Sequence, residues 1–188
     1  MIPSEIAPTD ITLVLGGCRS GKSRHALKRA EAYPGNRHLF IATCVPEDAE
    51  MKSRVARHQA ERGAMWTALE IPVRLDRAIR DESPRADVIL VDCLTLWMSN
   101  LFAETMDTDK IHTSVTNLTD ALAAARCPVI LVSNEVGTGI VPDTALARQY
   151  RDAVGWMNQA VAAAADRVIL TVAGIPVTIK NDPDGAVR

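Results

Sequence analysis

Apolar residues gather along this chain in short, continuous runs. The clearest are Ile11-Thr12-Leu13-Val14-Leu15, His38-Leu39-Phe40-Ile41-Ala42, Val88-Ile89-Leu90-Val91-Asp92 and Pro128-Val129-Ile130-Leu131-Val132. A further run, Arg167-Val168-Ile169-Leu170-Thr171-Val172, is followed after a turn by Val177-Thr178-Ile179. The runs are rich in β-branched residues and do not alternate apolar with polar, which is the pattern of strands buried on both faces. Between them apolar positions recur at helical spacing, predicting helices over Lys22–Tyr33, Asp48–Arg62, Leu94–Glu104, Lys110–Arg126 and Thr144–Ala165. Strands alternating with helices imply an α/β fold, a mostly parallel sheet with helices on both faces. No repeat, low-complexity tract or linker divides the chain, so a single domain over residues 10–180 is expected, with residues 1–9 and 181–188 as flexible termini.

Composition narrows the class. With 188 residues, 47% of them hydrophobic, the chain can bury a core of its own. Its net charge of -2, with Lys and Arg scattered, argues against nucleic acid as a partner, because duplex binding needs a basic face. The long uncharged run Val168–Ile179 is too short for a membrane span. The segment Met1–Asp10 is acidic and contains proline, unlike a signal peptide, so a soluble cytoplasmic protein is expected. Cys18, Cys44, Cys93 and Cys127 lie far apart with no C-x-x-C pair, which suggests neither a zinc site nor a disulfide framework.

The chemistry begins at Gly16-Gly17-Cys18-Arg19-Ser20-Gly21-Lys22-Ser23. This is the phosphate-binding loop pattern, with a buried strand before it and an amphipathic helix after it. A triphosphate needs backbone N–H groups converging on its oxygens, which a glycine-rich turn supplies without Cβ clashes, and the helix N-terminus adds partial positive charge. Lys22 can bridge the outer phosphates, and the Ser23 hydroxyl can complete a Mg²⁺ shell. Asp92 ends a hydrophobic strand, at the carboxyl edge where ligands of such sheets bind. There it can hold Mg²⁺, or cap the helix that follows. Asn134 and Glu135 end another strand and lead into Val136-Gly137-Thr138-Gly139, either a loop that closes over a substrate or a connector.

Arg54, His58 and Arg62 are spaced to share one face of the helix predicted over Asp48–Arg62. A histidine between arginines is kept neutral, in a setting suited to a nucleophilic or phosphate-contacting imidazole. The same spacing also describes a solvated basic helix face. His25, His38 and His112 have no spacing that suggests a metal site.

Taken together, the chain resembles the bifunctional adenosylcobinamide kinase/adenosylcobinamide-phosphate guanylyltransferase family. The resemblance is carried by Leu15 through Arg24, Phe40-Ile41-Ala42-Thr43, Arg54-Val55-Ala56-Arg57-His58 and Val91-Asp92-Cys93-Leu94-Thr95-Leu96-Trp97. It continues in Ser133-Asn134-Glu135-Val136-Gly137-Thr138-Gly139-Ile140-Val141-Pro142, Arg151-Asp152-Ala153-Val154-Gly155 and Ala173-Gly174-Ile175-Pro176, and so spans about Ile11 to Lys180. It implies a RecA-like P-loop NTPase fold, homotrimeric assembly, and two activities. ATP or GTP phosphorylates adenosylcobinamide, and GMP then passes from GTP to the cobinamide phosphate through a guanylylated histidine, which falls on His58. It further implies nucleotide contacts at the loop Gly16–Ser23, at Ala42, Thr43 and Cys44, at Glu61 and Arg62, and at Glu70 and Asp92, with Mg²⁺ on Ser23 and Asp92. The extension before Ile11, the tail after Lys180 and Cys18 in the loop depart from the family pattern. A P-loop small-molecule kinase without guanylyltransferase activity is the rival enzyme reading. A nucleotide-dependent switch is the non-enzyme rival, and the chain has no Asn-Lys-x-Asp guanine-reading motif.

Overall fold

Residues 10–44 and 65–182 are described by a computed structural model. In chain order the elements are β1 (Ile11–Gly16), α1 (Lys22–Glu31), β2 (His38–Ala42), β3 (Trp66–Glu70), α2 (Leu75–Glu82) and β4 (Val88–Asp92). They continue with α3 (Leu94–Glu104), α4 (Thr108–Ala123), β5 (Val129–Asn134), α5 (Ala145–Ala164), β6 (Arg167–Val172) and β7 (Ile175–Asn181). The helix expected over Asp48–Arg62 lies outside the described residues, as do residues 1–9 and 183–188.

The strands form one seven-stranded sheet in the order β3-β2-β4-β5-β1-β6-β7. Every pairing is parallel except the terminal β6–β7 hairpin. The continuous apolar runs follow from burial on both faces. Ile11, Leu13, Leu15, Ile41, Val91 and Leu131 point into a core shared with α2, α3, α4 and α5. Val14, Phe40, Leu90, Ile130 and Val132 point the other way, against Ala26 and Ala30 of α1. Neighbouring residues of one strand therefore sit in different cores, which removes the polar-out positions that would have produced alternation.

Two elements were not expected from sequence. Among the described residues β3 pairs only with β2, at the sheet edge, and is half-buried at best, so its five residues, Trp66-Thr67-Ala68-Leu69-Glu70, carry no continuous apolar run. α2 is a helix of eight residues whose apolar stripe is Leu75, Ala78 and Ile79, too short to stand out as a repeat. Elsewhere the ends follow local chemistry. Asp107 accepts from the Asp109 and Lys110 amides, so α4 starts before the expected Lys110, and Thr144 caps α5 by accepting from Ala147 N.

The amino ends of the central strands are tied by charge. The Asp10 carboxylate accepts from Arg29 Nη2 at 3.2 Å, from the Tyr33 hydroxyl at 2.5 Å and from Arg167. Asp166 Oδ2 accepts from Ile11 N at 2.7 Å. This cluster locks α1, β1 and β6 together at one end of the sheet and leaves the opposite, carboxyl end for a ligand.

Candidate nucleotide site

The strand register lays the candidate residues along one rim. Ala42 is level with Glu70 on one side and Asp92 on the other, and Gly16 is level with Asn134 and Thr171. With neighbouring strands ~4.8 Å apart, Glu70 and Asp92 stand roughly 10 Å from each other. Asp92 is level with Val132 on β5 and Gly16 with Asn134, so these two, two strands apart and offset by two residues, stand about 12 Å from each other. β5 lies between the strand of the phosphate loop and the strand of Asp92, with Asn134 beside Gly16 and two residues past the level of Asp92.

The phosphate loop is built for close approach. Arg19 and Gly21 take left-handed conformations, with φ of 56° and 92°. Such alternation turns successive amides inward as an anion cradle, at the N-terminus of α1. A Cβ on Gly16 would lie 2.4 Å from Ser20 Oγ and 2.6 Å from the Thr171 carbonyl oxygen. Lys22 Nζ donates to Gly17 O at 3.1 Å, folding the ammonium back over the loop. The loop is braced from both sides, because Glu135 N donates to Gly16 O at 3.1 Å and Gly174 N donates to Ser20 O at 2.8 Å. Gly174 belongs to the β6–β7 turn, where Ala173 and Gly174 both have positive φ, as a two-residue hairpin of this twist requires.

Asp92 is held at the corner by a clamp that sequence reasoning missed. Thr43 is fully buried, and its hydroxyl accepts from Cys93 N at 2.9 Å and donates to Cys93 O at 2.7 Å. Asn100 on α3 donates to Thr43 O at 2.8 Å and to Pro72 O at 2.9 Å. The Thr43 side chain is thus committed to orienting the Asp92–Cys93 segment. Burial and the Asp92 charge push the Cys93 thiol up, while the Thr95 hydrogen bond, the Leu96 amide and the Lys22 charge oppose them. The Asp92 carboxylate and, more weakly, the Lys22 ammonium both act electrostatically on this buried sulfur. Ser23 follows Lys22 in the first turn of α1. Its hydroxyl and the Asp92 carboxylate are hard oxygen donors of the kind Mg²⁺ takes, so the residues present fit that ion.

A second polar group surrounds Asn134. Its Nδ2 donates to Thr95 Oγ1 at 3.2 Å, and its backbone oxygen accepts from Asn158 Nδ2 at 3.1 Å. Asn134 Oδ1 is buried and finds no hydrogen-bond partner among the described residues. The Tyr150 hydroxyl donates to Thr95 O at 2.8 Å, fixing α5 against α3. Of the Ala42–Cys44 segment, Ala42 and Cys44 are partly exposed. Glu70 is exposed at the far end of the rim and Cys18 is exposed in the loop. His58, Glu61 and Arg62, with Arg54, lie outside the described residues. His25, on α1, has its pKa lowered by burial and then by the Arg29 and Lys28 charges.

The model of the cobinamide kinase / cobinamide phosphate guanyltransferase family matches residues 12–179. The chain belongs to this family. It is 43% identical to the bifunctional adenosylcobalamin biosynthesis protein CobP of Pseudomonas aeruginosa over 171 residues, covering 91% of this chain and 98% of that one. It is 44% identical to the bifunctional adenosylcobalamin biosynthesis protein CobU of Salmonella typhimurium over 182 residues, covering 89% and 98% respectively. Among solved structures, the flagellar accessory protein FlaH from Methanocaldococcus jannaschii is similar with a TM-score of 0.49 and 12% identity, covering 95% of this chain and 82% of that one. The mostly parallel sheet with helices on both faces agrees with the RecA-like P-loop fold that membership in the cobinamide kinase family implies. No helix among the described residues is long and apolar enough to cross a membrane.

Proposed function

We propose that this protein runs the family's two reactions in succession on one nucleotide rim. In the first, the aminopropanol hydroxyl of adenosylcobinamide attacks the γ-phosphorus of ATP or GTP. The bond to the bridging oxygen breaks, the nucleoside diphosphate leaves and the hydroxyl proton goes to solvent. In the second, an imidazole nitrogen of His58 attacks the α-phosphorus of GTP and pyrophosphate leaves. A phosphate oxygen of the cobinamide phosphate then attacks the same phosphorus, the N–P bond breaks, and adenosylcobinamide-GDP forms.

The observation that carries this reading is the family match over residues 12–179, combined with a phosphate loop and an Asp92 that both lie at the carboxyl ends of the parallel strands. Lys22 would neutralise charge on the outer phosphates, and the amides of Gly16–Ser23 would hold their oxygens. Ser23 and Asp92 would hold Mg²⁺, which supplies further charge neutralisation when bound. Ala42, Thr43 and Cys44, Glu61 and Arg62, and Glu70 are proposed as further nucleotide contacts. Because the Thr43 hydroxyl is used on Cys93, its own part is to set the Asp92 corner. Homotrimeric assembly and a cytoplasmic location belong to the same proposal. The open edge of β7, where Ile175, Val177 and Ile179 are exposed, offers a surface for subunit contact.

The test is incubation with GTP labelled at the α-phosphate, for the native protein and for His58→Ala. A histidine phosphoramidate is labile in acid and stable in base. The native protein should take up acid-labile, base-stable label and pass it to cobinamide phosphate. His58→Ala should lose both while keeping measurable kinase activity, because Lys22, Ser23 and Asp92 remain. Covalent GMP on His58→Ala would refute the histidine assignment. A native protein that phosphorylates cobinamide but never labels would be a kinase alone.

A further inference from the structure

The loop after β5 is pinned at both shoulders yet offers an apolar tip to water. At its start Glu135 N donates to Gly16 O, and Gly137 N donates to Glu135 Oε1 at 2.7 Å. At its end Arg148 Nη1 donates to Pro142 O at 3.0 Å and to Asp143 O at 2.8 Å. Between these anchors Ile140 is 96% exposed and Val141 61% exposed, and Leu146 in the first turn of α5 is 56% exposed. A single exposed apolar residue needs no explanation. Adjacent β-branched residues at the tip of an anchored loop do, because folding leaves them hydrated without using them in the core.

Position suggests the use. The loop departs from the rim one residue past Asn134, which is level with Gly16, so it rises beside the phosphate loop on the strand between Gly16 and Asp92. From Val136 to Pro142 it carries no charged side chain, only Gly, Thr and apolar residues. A phosphate-bearing nucleotide gains little from such a surface, whereas a large organic acceptor with a periphery of methyl and carboxamide groups gains much. We propose that Ile140 and Val141 form the docking ledge for the corrin ring of the acceptor substrate, beside the phosphate loop on the β5 side. This rests on the functional reading above. A corrin edge bears methyl groups, which would cover Ile140 and Val141, and carboxamides, which would meet the Thr138 hydroxyl and the exposed backbone of Gly137 and Gly139. The tethered hydroxyl would then reach down past Asn134 to the phosphate.

The experiment is the double substitution Ile140→Ser/Val141→Ser, both at exposed positions that the core does not need. Cobinamide binding is followed by equilibrium dialysis using corrin absorbance, and GTP binding and covalent GMP uptake are measured in parallel. Removing an apolar contact of this size should weaken cobinamide about tenfold or more. GTP affinity and GMP uptake should stay within about twofold, and the apolar Ile140→Met alone should keep most of the cobinamide affinity. Unchanged cobinamide affinity in the double variant, beside a native protein that binds and phosphorylates cobinamide, overturns the ledge alone. The ledge is overturned equally if the variant loses oligomeric mass while its cobinamide affinity holds, since the loop would then belong to a subunit contact. A native protein that neither binds nor phosphorylates cobinamide overturns the functional reading and the ledge with it.

Discussion

The glycines of the phosphate loop should differ sharply in what an added methyl does to the unliganded protein. At Gly16 a Cβ would lie 2.4 Å from Ser20 Oγ and 2.6 Å from the Thr171 carbonyl, which belongs to the neighbouring strand β6 and cannot rotate away. Such overpacking costs about 1–3 kcal/mol. At Gly21 the φ of 92° penalises any side chain, and the Cβ would also come within 3.2 Å of Gly174 Cα. The left-handed penalty of about 1–2 kcal/mol is offset in part by the stiffer unfolded chain. At Gly17 nothing lies within 4 Å, so Gly17→Ala should be neutral or stabilising by about 0.4–1 kcal/mol through the unfolded state. Urea denaturation without nucleotide, at constant m, reads the series directly. Gly16→Ala should be the least stable, Gly21→Ala intermediate, and Gly17→Ala at or above the native protein. If Gly16→Ala unfolds within about 0.5 kcal/mol of the native protein, the tight β1–β6 approach at the loop is wrong.

Three further outcomes are expected. Lys22→Ala should depress both kinase and guanylyltransferase kcat by about 10²–10³, because both reactions need triphosphate oxygens neutralised; near-normal rates in either assay refute the assignment. Asp92→Asn should raise the Mg²⁺ concentration for half-maximal activity while leaving the circular dichroism spectrum unchanged, and an unshifted metal titration would leave Asp92 only a structural part. His25 titrates below its ordinary value of 6.5 in the folded state because of burial and the Arg29 and Lys28 charges, so the unfolded chain binds its proton first. Stability should hold above pH 6.5 and decline as pH falls from there toward the folded pKa, and His25→Gln should flatten that slope in denaturation measured across pH 5–7.5.

What the sequence revealed and what it concealed divide along a physical line. β1, β2, β4 and β5 are legible because both of their faces are buried, one under α1 and the other under the remaining helices, so nearly every side chain is apolar. β3 is concealed because an edge strand satisfies its backbone on one side and leaves Thr67, Ala68 and Glu70 in water. The site divides in the same way. Gly16 through Ser23 is a local motif, since amides converging on a phosphate must come from consecutive residues. Asp92 and Asn134 were singled out because each ends an apolar run, and the register puts them on the same rim. The Thr43 clamp on Cys93 joins residues 50 positions apart, and Asn100 reaches Thr43 across 57. No spacing rule covers such contacts, and threonine and asparagine there look like any polar residue in a loop or helix.

The bracing of the phosphate loop shows why the concealed part matters to the chemistry. The motif supplies the donors, but it does not by itself hold them still. A flexible glycine-rich turn that ordered only on binding would lose affinity to conformational entropy. Here Glu135 N holds Gly16 from the β5 side and Gly174 N holds Ser20 from the β6–β7 turn, both through backbone hydrogen bonds. The positive φ values at Ala173 and Gly174 make that turn tight enough for Gly174 Cα to pack 3.2 Å from where a Gly21 Cβ would stand. The hairpin at the sheet edge therefore braces the phosphate loop, although no side chain of β7 faces a phosphate loop residue in these hydrogen bonds. Gly174→Ala would test this from the hairpin side. Its φ of 81° makes the substitution strained even though nothing lies within 4 Å of the added Cβ, so the turn would relax and withdraw the Gly174 amide from Ser20. Nucleotide affinity should fall several-fold while Gly155→Ala, also with open space around its Cβ but within α5 rather than in the hairpin, leaves it unchanged. Equal nucleotide affinities in these two variants would mean that the hairpin plays no part in shaping the loop.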